Sequence, residues 1–203
     1  MYTVFVTGPL ASGKRSACSY LAEHGFAHID LDDMSKEFLE DELVQQQLLE
    51  AYGPEIIDSE GSIDKSALAR LAFADASSTA ALNSIIWPLI GERLADLIVG
   101  QSCQQAQIEE KLVVEAAMLA EAQWCLDLAD SIICIDADED TRIKRAQARG
   151  MDLEDIKNRM ALQATAAARA QICDVVIENN GSLEALYDKL EAWLLLQYQE
   201  HLF

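Results

Sequence analysis

Few folds accommodate the start of this chain. The stretch Gly8-Pro9-Leu10-Ala11-Ser12-Gly13-Lys14 fits the pattern G-x-x-x-x-G-K, the phosphate loop. Glycines let such a backbone wrap with its N–H groups turned inward. A helix opening near Gly13 points its positive end at the enclosed anion, and Lys14 adds a mobile point charge. The flanks supply the context that the pattern needs. Tyr2 to Thr7 is β-branched, aromatic and nearly all apolar, which predicts a strand buried on both faces in a parallel sheet. From Gly13 to about Glu23 the spacing of Ala17, Tyr20 and Leu21 predicts a helix. An ordinary glycine-bearing strand–helix turn is the alternative, and the order of elements weighs against it.

One position departs from the rule. Arg15 stands where the pattern requires a Ser or Thr hydroxyl for Mg²⁺. Ser16 is no simple substitute, because the next helix residue points about 100° away. A guanidinium there repels a metal unless it lies on phosphate oxygens or swings out to solvent.

The rest of the chain alternates strands and helices. Gly25 stops the first helix, and Phe26 to Asp30 reads as a short strand. A long helical region follows from Ser35 to about Ser102, with turns expected at Gly53-Pro54, Gly61 and Pro88. Lys111 to Glu115, Ser131 to Asp136 and Asp174 to Ile177 read as three further strands. A last helix carries Leu186, Leu190, Trp193 and Leu194 at core spacing. The expectation is an α/β fold: a doubly wound, parallel, five-stranded sheet with a helical segment inserted after the second strand.

Charge narrows the ligand class. The 203 residues carry 35 Asp and Glu against 15 Lys and Arg, a formal net charge of −20. Such a surface repels nucleic acid and anionic membranes, so neither is expected as a partner. The few cations are not spread evenly. Residues 142–169 hold seven of them (Arg142, Lys144, Arg145, Arg149, Lys157, Arg159 and Arg169) against Asp152, Glu154 and Asp155, so this segment is +4 and the remainder −24. Arg145 and Arg149, four apart, share a helix face. A basic, solvated helix is the plainer reading of each one; the clustering favours an anion site.

Cys18, Cys103, Cys125, Cys134 and Cys173 are scattered and never in a C-x-x-C pair. With His24, His28 and His201 they show no metal-ligand spacing. Buried thiols in a reducing cytoplasm are expected. The opening apolar run is too short for a signal peptide or a spanning helix.

Taken in order, these strings resemble the dephospho-CoA kinase family almost end to end. That family opens T-G-G-I-G-S-G-K-S-T, matched by Thr7 to Ser16. Its I-D-A-D is matched by Ile29-Asp30-Leu31-Asp32, its H-P-L-I by Trp87-Pro88-Leu89-Ile90, and its D-x-P-L-L-x-E by Glu115 to Glu121. Its closing A-D-x-V-I-x-N-N-G is similar to Cys173 to Gly181. Arg159 and Gln163 resemble its R-x-x-x-Q. Besides Arg15, the departures are Trp87 for His, Ala117 for Pro and Glu115 for Asp.

The resemblance implies a P-loop fold and transfer of the ATP γ-phosphoryl group to the ribose 3′-hydroxyl of dephospho-CoA. It implies one kinase domain, 1–203, in three parts: a nucleotide core (1–34 and 103–203), a helical CoA-binding subdomain (35–102) and a lid (138–170). Asp32 becomes the general base, and Lys14 and Arg145 stabilise the moving phosphoryl group. Gly8, Ala11, Ser12, Gly13, Lys14, Arg15, Ser16, Arg145, Arg149 and Asn179 are expected on ATP. Asp32, Trp87 and Glu115 are expected on substrate, with Asp32 and Glu115 holding Mg²⁺ through water. For Asp32 a helix-capping role is the plainer alternative, and for Glu115 a solvated strand end. ATP and Mg²⁺ are the expected cofactors, in a cytoplasmic monomer or weak homo-oligomer. Two other readings stay open: a nucleotide- or CoA-binding protein without turnover, and a P-loop kinase for another small hydroxyl compound.

Overall fold

The computed structural model describes residues 1–99 and 111–199. It divides into two compact units, one comprising Met1–Leu31 and the chain from Ile98 on, the other Asp32–Leu97. The first unit is built on a parallel sheet in the order β2-β3-β1-β4-β5: β1 (Tyr2–Thr7), β2 (Ala27–Asp30), β3 (Lys111–Glu115), β4 (Ser131–Asp136) and β5 (Val175–Glu178). Central β1 is the strand that the apolar run predicts, with Thr3 through Thr7 all buried. Its position follows from composition, since only a strand covered on both faces tolerates so unbroken an apolar run.

Helix α1 (Lys14–Glu23) leaves the loop after β1 and turns Ala17, Cys18, Tyr20 and Leu21 into the core. There they join Leu186, Leu190, Trp193 and Leu194 of the last helix. The register brings the carboxyl ends together: Glu115 on β3 pairs with Val6 on one side and Asp30 on the other. Chain ends of this kind, at the carboxyl edge of a doubly wound sheet, are where ligands bind.

The second unit is helical: α2 (Leu31–Phe38, whose first residue belongs to the first unit), α3 (Glu42–Tyr52), α4 (Lys65–Ala72) and α5 (Ala76–Val99, whose last two residues belong to the first unit). Asp41 and Asp64 cap α3 and α4 by accepting from the second and third backbone amides beyond them. The turns at Gly53-Pro54 and Gly61 fall where the sequence puts them, and one antiparallel bridge, Ile57 to Ile63, closes the second of them. The expected break at Pro88 does not occur. Helix α5 runs through it as one element of 24 residues. A proline inside a helix costs about 3 kcal/mol, and the buried Ile86, Ile90 and Leu94 of the same helix offset that cost.

The remaining helices belong to the first unit: α6 (Glu139–Ala148), α7 (Leu153–Leu162), α8 (Ala166–Ile172) and α9 (Leu183–Gln199). Among the described residues no helix is long and apolar enough to cross a membrane. Cys18, Cys125, Cys134 and Cys173 are free thiols; Cys103 and His201 lie outside the described residues. Burial pushes the Cys125 thiol up to about 11.

Candidate active site

The loop Gly8–Gly13 owes its shape to two glycines in conformations that L side chains rarely adopt, Gly8 at φ +150° and Gly13 at φ +110°. Space enforces the same choice. A Cβ at Gly8 would collide with the Ile135 carbonyl oxygen, and one at Gly13 with the Asn179 amide. Ala11 also lies in the left-handed region, at φ +59°, where the family string has glycine. That conformation stores about 1 kcal/mol of strain.

Gly13 is the N-cap of α1 and supplies no side-chain cap, and the first turn carries no acidic residue. Its amides are therefore left for an anion. Lys14 is only 9% exposed, with its ammonium donating to the Gly8 and Pro9 carbonyls at 2.9 and 3.2 Å, across the loop it serves. The Ser12 hydroxyl is buried with no hydrogen-bond partner among the described residues. Ser16 is half-buried on the next turn position.

Arg15 does not lie over the loop. Its side chain is 70% exposed and its Nη2 donates to Asp30 Oδ2 at 2.8 Å. Glu115, at the end of β3, is buried rather than solvated. Its Oε2 has no hydrogen-bond partner among the described residues and stands 3.6 Å from His28 Nε2.

The basic segment meets the loop directly. Arg145 Nη1 donates to the carbonyls of Ser12 (3.4 Å) and Asn179 (2.9 Å), and its Nη2 donates to Gly181 (3.2 Å). Asn179, 6% exposed, donates its amide to the Ser12 carbonyl at 2.7 Å. Both side chains thus brace the loop. Gln163 accepts from the Leu10 amide at 2.9 Å. Leu10 and Ala11 also pack with Ile143, Ala146, Met151, Ile156 and Met160 of α6, α7 and their connection. The R-x-x-x-Q string is the one signal that pointed to Gln163; its partner Arg159 pairs instead with Asp155. Arg149 is exposed just past α6.

Arg169 escaped the sequence reading as an individual. It is buried in α8, donates to the Ala164 carbonyl and lies 3.9 Å from Asp136 at the end of β4. Beside it Cys134 and Cys173 are in hydrogen-bond contact, and that bond holds the Cys134 thiol below its ordinary value. Asp32 and Trp87 belong to the second unit. Asp32 is an exposed residue in the first turn of α2, with its carbonyl accepting from Ser35 Oγ at 2.8 Å. Trp87 is half-buried in α5, next to Pro88.

A parallel sheet whose central strand runs into a glycine-bounded loop, a lysine and an uncapped helix N-terminus is the fold of the P-loop kinases. The family model for dephospho-CoA kinase matches residues 2–185. A dephospho-CoA kinase of Corynebacterium glutamicum is 34% identical over 188 residues, covering 92% of this chain and 94% of its own. The chain belongs to the dephospho-CoA kinase family. Among solved structures, TT1252 from Thermus thermophilus is similar with a TM-score of 0.78 and 26% identity, each chain covered to 96%. The dephospho-CoA kinase of Campylobacter jejuni shares the fold at a TM-score of 0.68 and 19% identity, covering 99% of this chain and 98% of its own.

Proposed function

We propose that this protein phosphorylates the ribose 3′-hydroxyl of dephospho-CoA, giving coenzyme A and ADP. The supporting observation is the anion-directed loop in a chain whose family match runs from residue 2 to 185. In the reaction the 3′-oxygen bonds to the γ-phosphorus as the bond from that phosphorus to the β–γ bridging oxygen breaks. Asp32 accepts the hydroxyl proton. Gly8, Ala11, Ser12, Gly13, Lys14 and Ser16 hold the phosphates, with Lys14 neutralising charge on the transferred group. Arg145 and Arg149 complete the charge, and Asn179 sets the loop against the nucleotide. Residues 35–102 receive the CoA portion with Trp87, and residues 138–170 act as the lid; the core is 1–34 and 103–203. On this reading the protein works in the cytoplasm as a monomer or weak homo-oligomer, without nucleic acid or membrane.

The donor set fits a Mg²⁺ held mostly by ATP and water. Glu115 offers a buried carboxylate oxygen with no hydrogen-bond partner among the described residues, and the family resemblance adds Asp32. Bound there, Mg²⁺ spreads the charge of the β- and γ-phosphates. Arg15, in the place of the motif's hydroxyl, favours a second reading in which nucleotide binds without turnover.

A turnover assay with dephospho-CoA and ATP, run over a range of Mg²⁺ on the wild type and Arg15→Ser, separates the two. The expected result is coenzyme A from both proteins, with Arg15→Ser needing several-fold less Mg²⁺ for half-maximal rate. ADP-free incubation mixtures from both, with ATP binding retained in calorimetry, would establish the second reading instead.

A further inference from the structure

We propose that Cys18, His28 and Glu115 form a Zn²⁺ site inside the nucleotide-binding unit. Among the described residues these are the one group of three metal-ligating side chains whose donor atoms come together, all within 4.8 Å of one another. They arrive from three elements: Cys18 from the second turn of α1, His28 from β2 and Glu115 from the end of β3.

The donor chemistry selects the metal. A thiolate, an imidazole and a carboxylate make a borderline-soft set that suits Zn²⁺ and gives little to Mg²⁺, which takes oxygen. The geometry agrees. Bonds of about 2.0–2.2 Å at tetrahedral angles place a nitrogen and an oxygen ligand about 3.3–3.6 Å apart. His28 Nε2 and Glu115 Oε2 are 3.6 Å apart. That separation is too long for a hydrogen bond, and Glu115 Oε2 is buried with no hydrogen-bond partner among the described residues. An orphaned buried carboxylate oxygen is costly, and a cation beside it removes the cost.

Access and completion follow from burial. The Cys18 side chain is fully buried, while His28 is 27% exposed, so an ion enters past the imidazole. Three protein ligands leave the fourth position to water, the open arrangement of reactive rather than closed zinc sites. Without metal, burial and then the Glu115 charge hold the Cys18 thiol well above its ordinary value. Coordination reverses that preference: the sulfur binds as thiolate and its proton leaves to solvent. Two cations, Lys14 and Arg15, and one further carboxylate, Asp30, also act on this thiol. The site needs neither nucleotide nor substrate, but it shares Glu115 with the metal shell of the proposed kinase reaction. Where that reading also holds, Zn²⁺ ties up the Glu115 carboxylate proposed for the Mg²⁺ shell.

Cobalt substitution tests the proposal without any activity assay. Metal-free, reduced protein is titrated with Co²⁺, and Zn²⁺ is then added. The expected result is one equivalent of Co²⁺ with thiolate-to-cobalt charge-transfer absorption and tetrahedral visible bands, bleached by Zn²⁺. Cys18→Ala removes the charge-transfer band, and His28→Gln weakens Zn²⁺ binding at least about tenfold, as loss of even an outer partner does. If Cys18→Ala fails to fold by circular dichroism, the more exposed His28 decides alone. No charge-transfer band in the wild type, or a band and affinity unchanged in His28→Gln, overturns the site.

Discussion

The Ser12 carbonyl accepts from Asn179 at 2.7 Å and from Arg145 at 3.4 Å, so side chains far along the chain hold the loop's outline. Asn179 is the more deeply buried of the two. Asn179→Ala is expected to cost about 0.5–1.5 kcal/mol of stability, the net worth of one hydrogen bond to an acceptor that keeps its Arg145 donor, and to raise the KM for ATP more than it lowers kcat. A thermal melt beside steady-state kinetics checks both; an unchanged KM would show that the amide does not shape the loop. Residues inside the loop were legible in the sequence because their constraint is local. Gly8, Gly13 and Lys14 sit in one short string, and their backbone angles follow from it. Gln163 on Leu10, the Cys134–Cys173 pair and the Cys18–His28–Glu115 group were not legible as contacts. Each joins segments that only the tertiary fold brings together, and spacing along the chain carries no trace of that.

At the scale of elements, periodicity and turn residues gave the strands to within a residue or two: β2 begins at Ala27 rather than Phe26, and β5 is shifted by one. The miss was α5. Pro88 carries a breaking signal, but packing of one apolar side overrode it. The proline is exposed, and Pro88→Ala restores an amide donor inside the helix. We expect the substitution to stabilise the protein by about 1–3 kcal/mol, visible as a higher melting temperature of the whole chain. An unchanged or lower melting temperature would mean that the proline's own contacts contribute as much as the lost hydrogen bond.

For the whole molecule, the net charge of −20 and the +4 of residues 142–169 are two aspects of one arrangement. The acidic surface turns away polyanions in general, while the loop and the basic segment supply positive charge where a nucleotide polyphosphate would be held. Arg145 and Gln163 tie that segment to the loop itself. Composition foretold the imbalance, and the tertiary contacts give it a location. Phosphorus NMR of ATP, Mg²⁺ and dephospho-CoA incubated with the wild type and with Asp32→Ala bears most directly on the proposed reaction. It should show a new ribose 3′-phosphomonoester growing in step with ADP, slowed about 100-fold or more in Asp32→Ala with ATP binding retained. ADP appearing with inorganic phosphate alone, or a 3′-phosphomonoester formed equally fast without the Asp32 carboxylate, would contradict it.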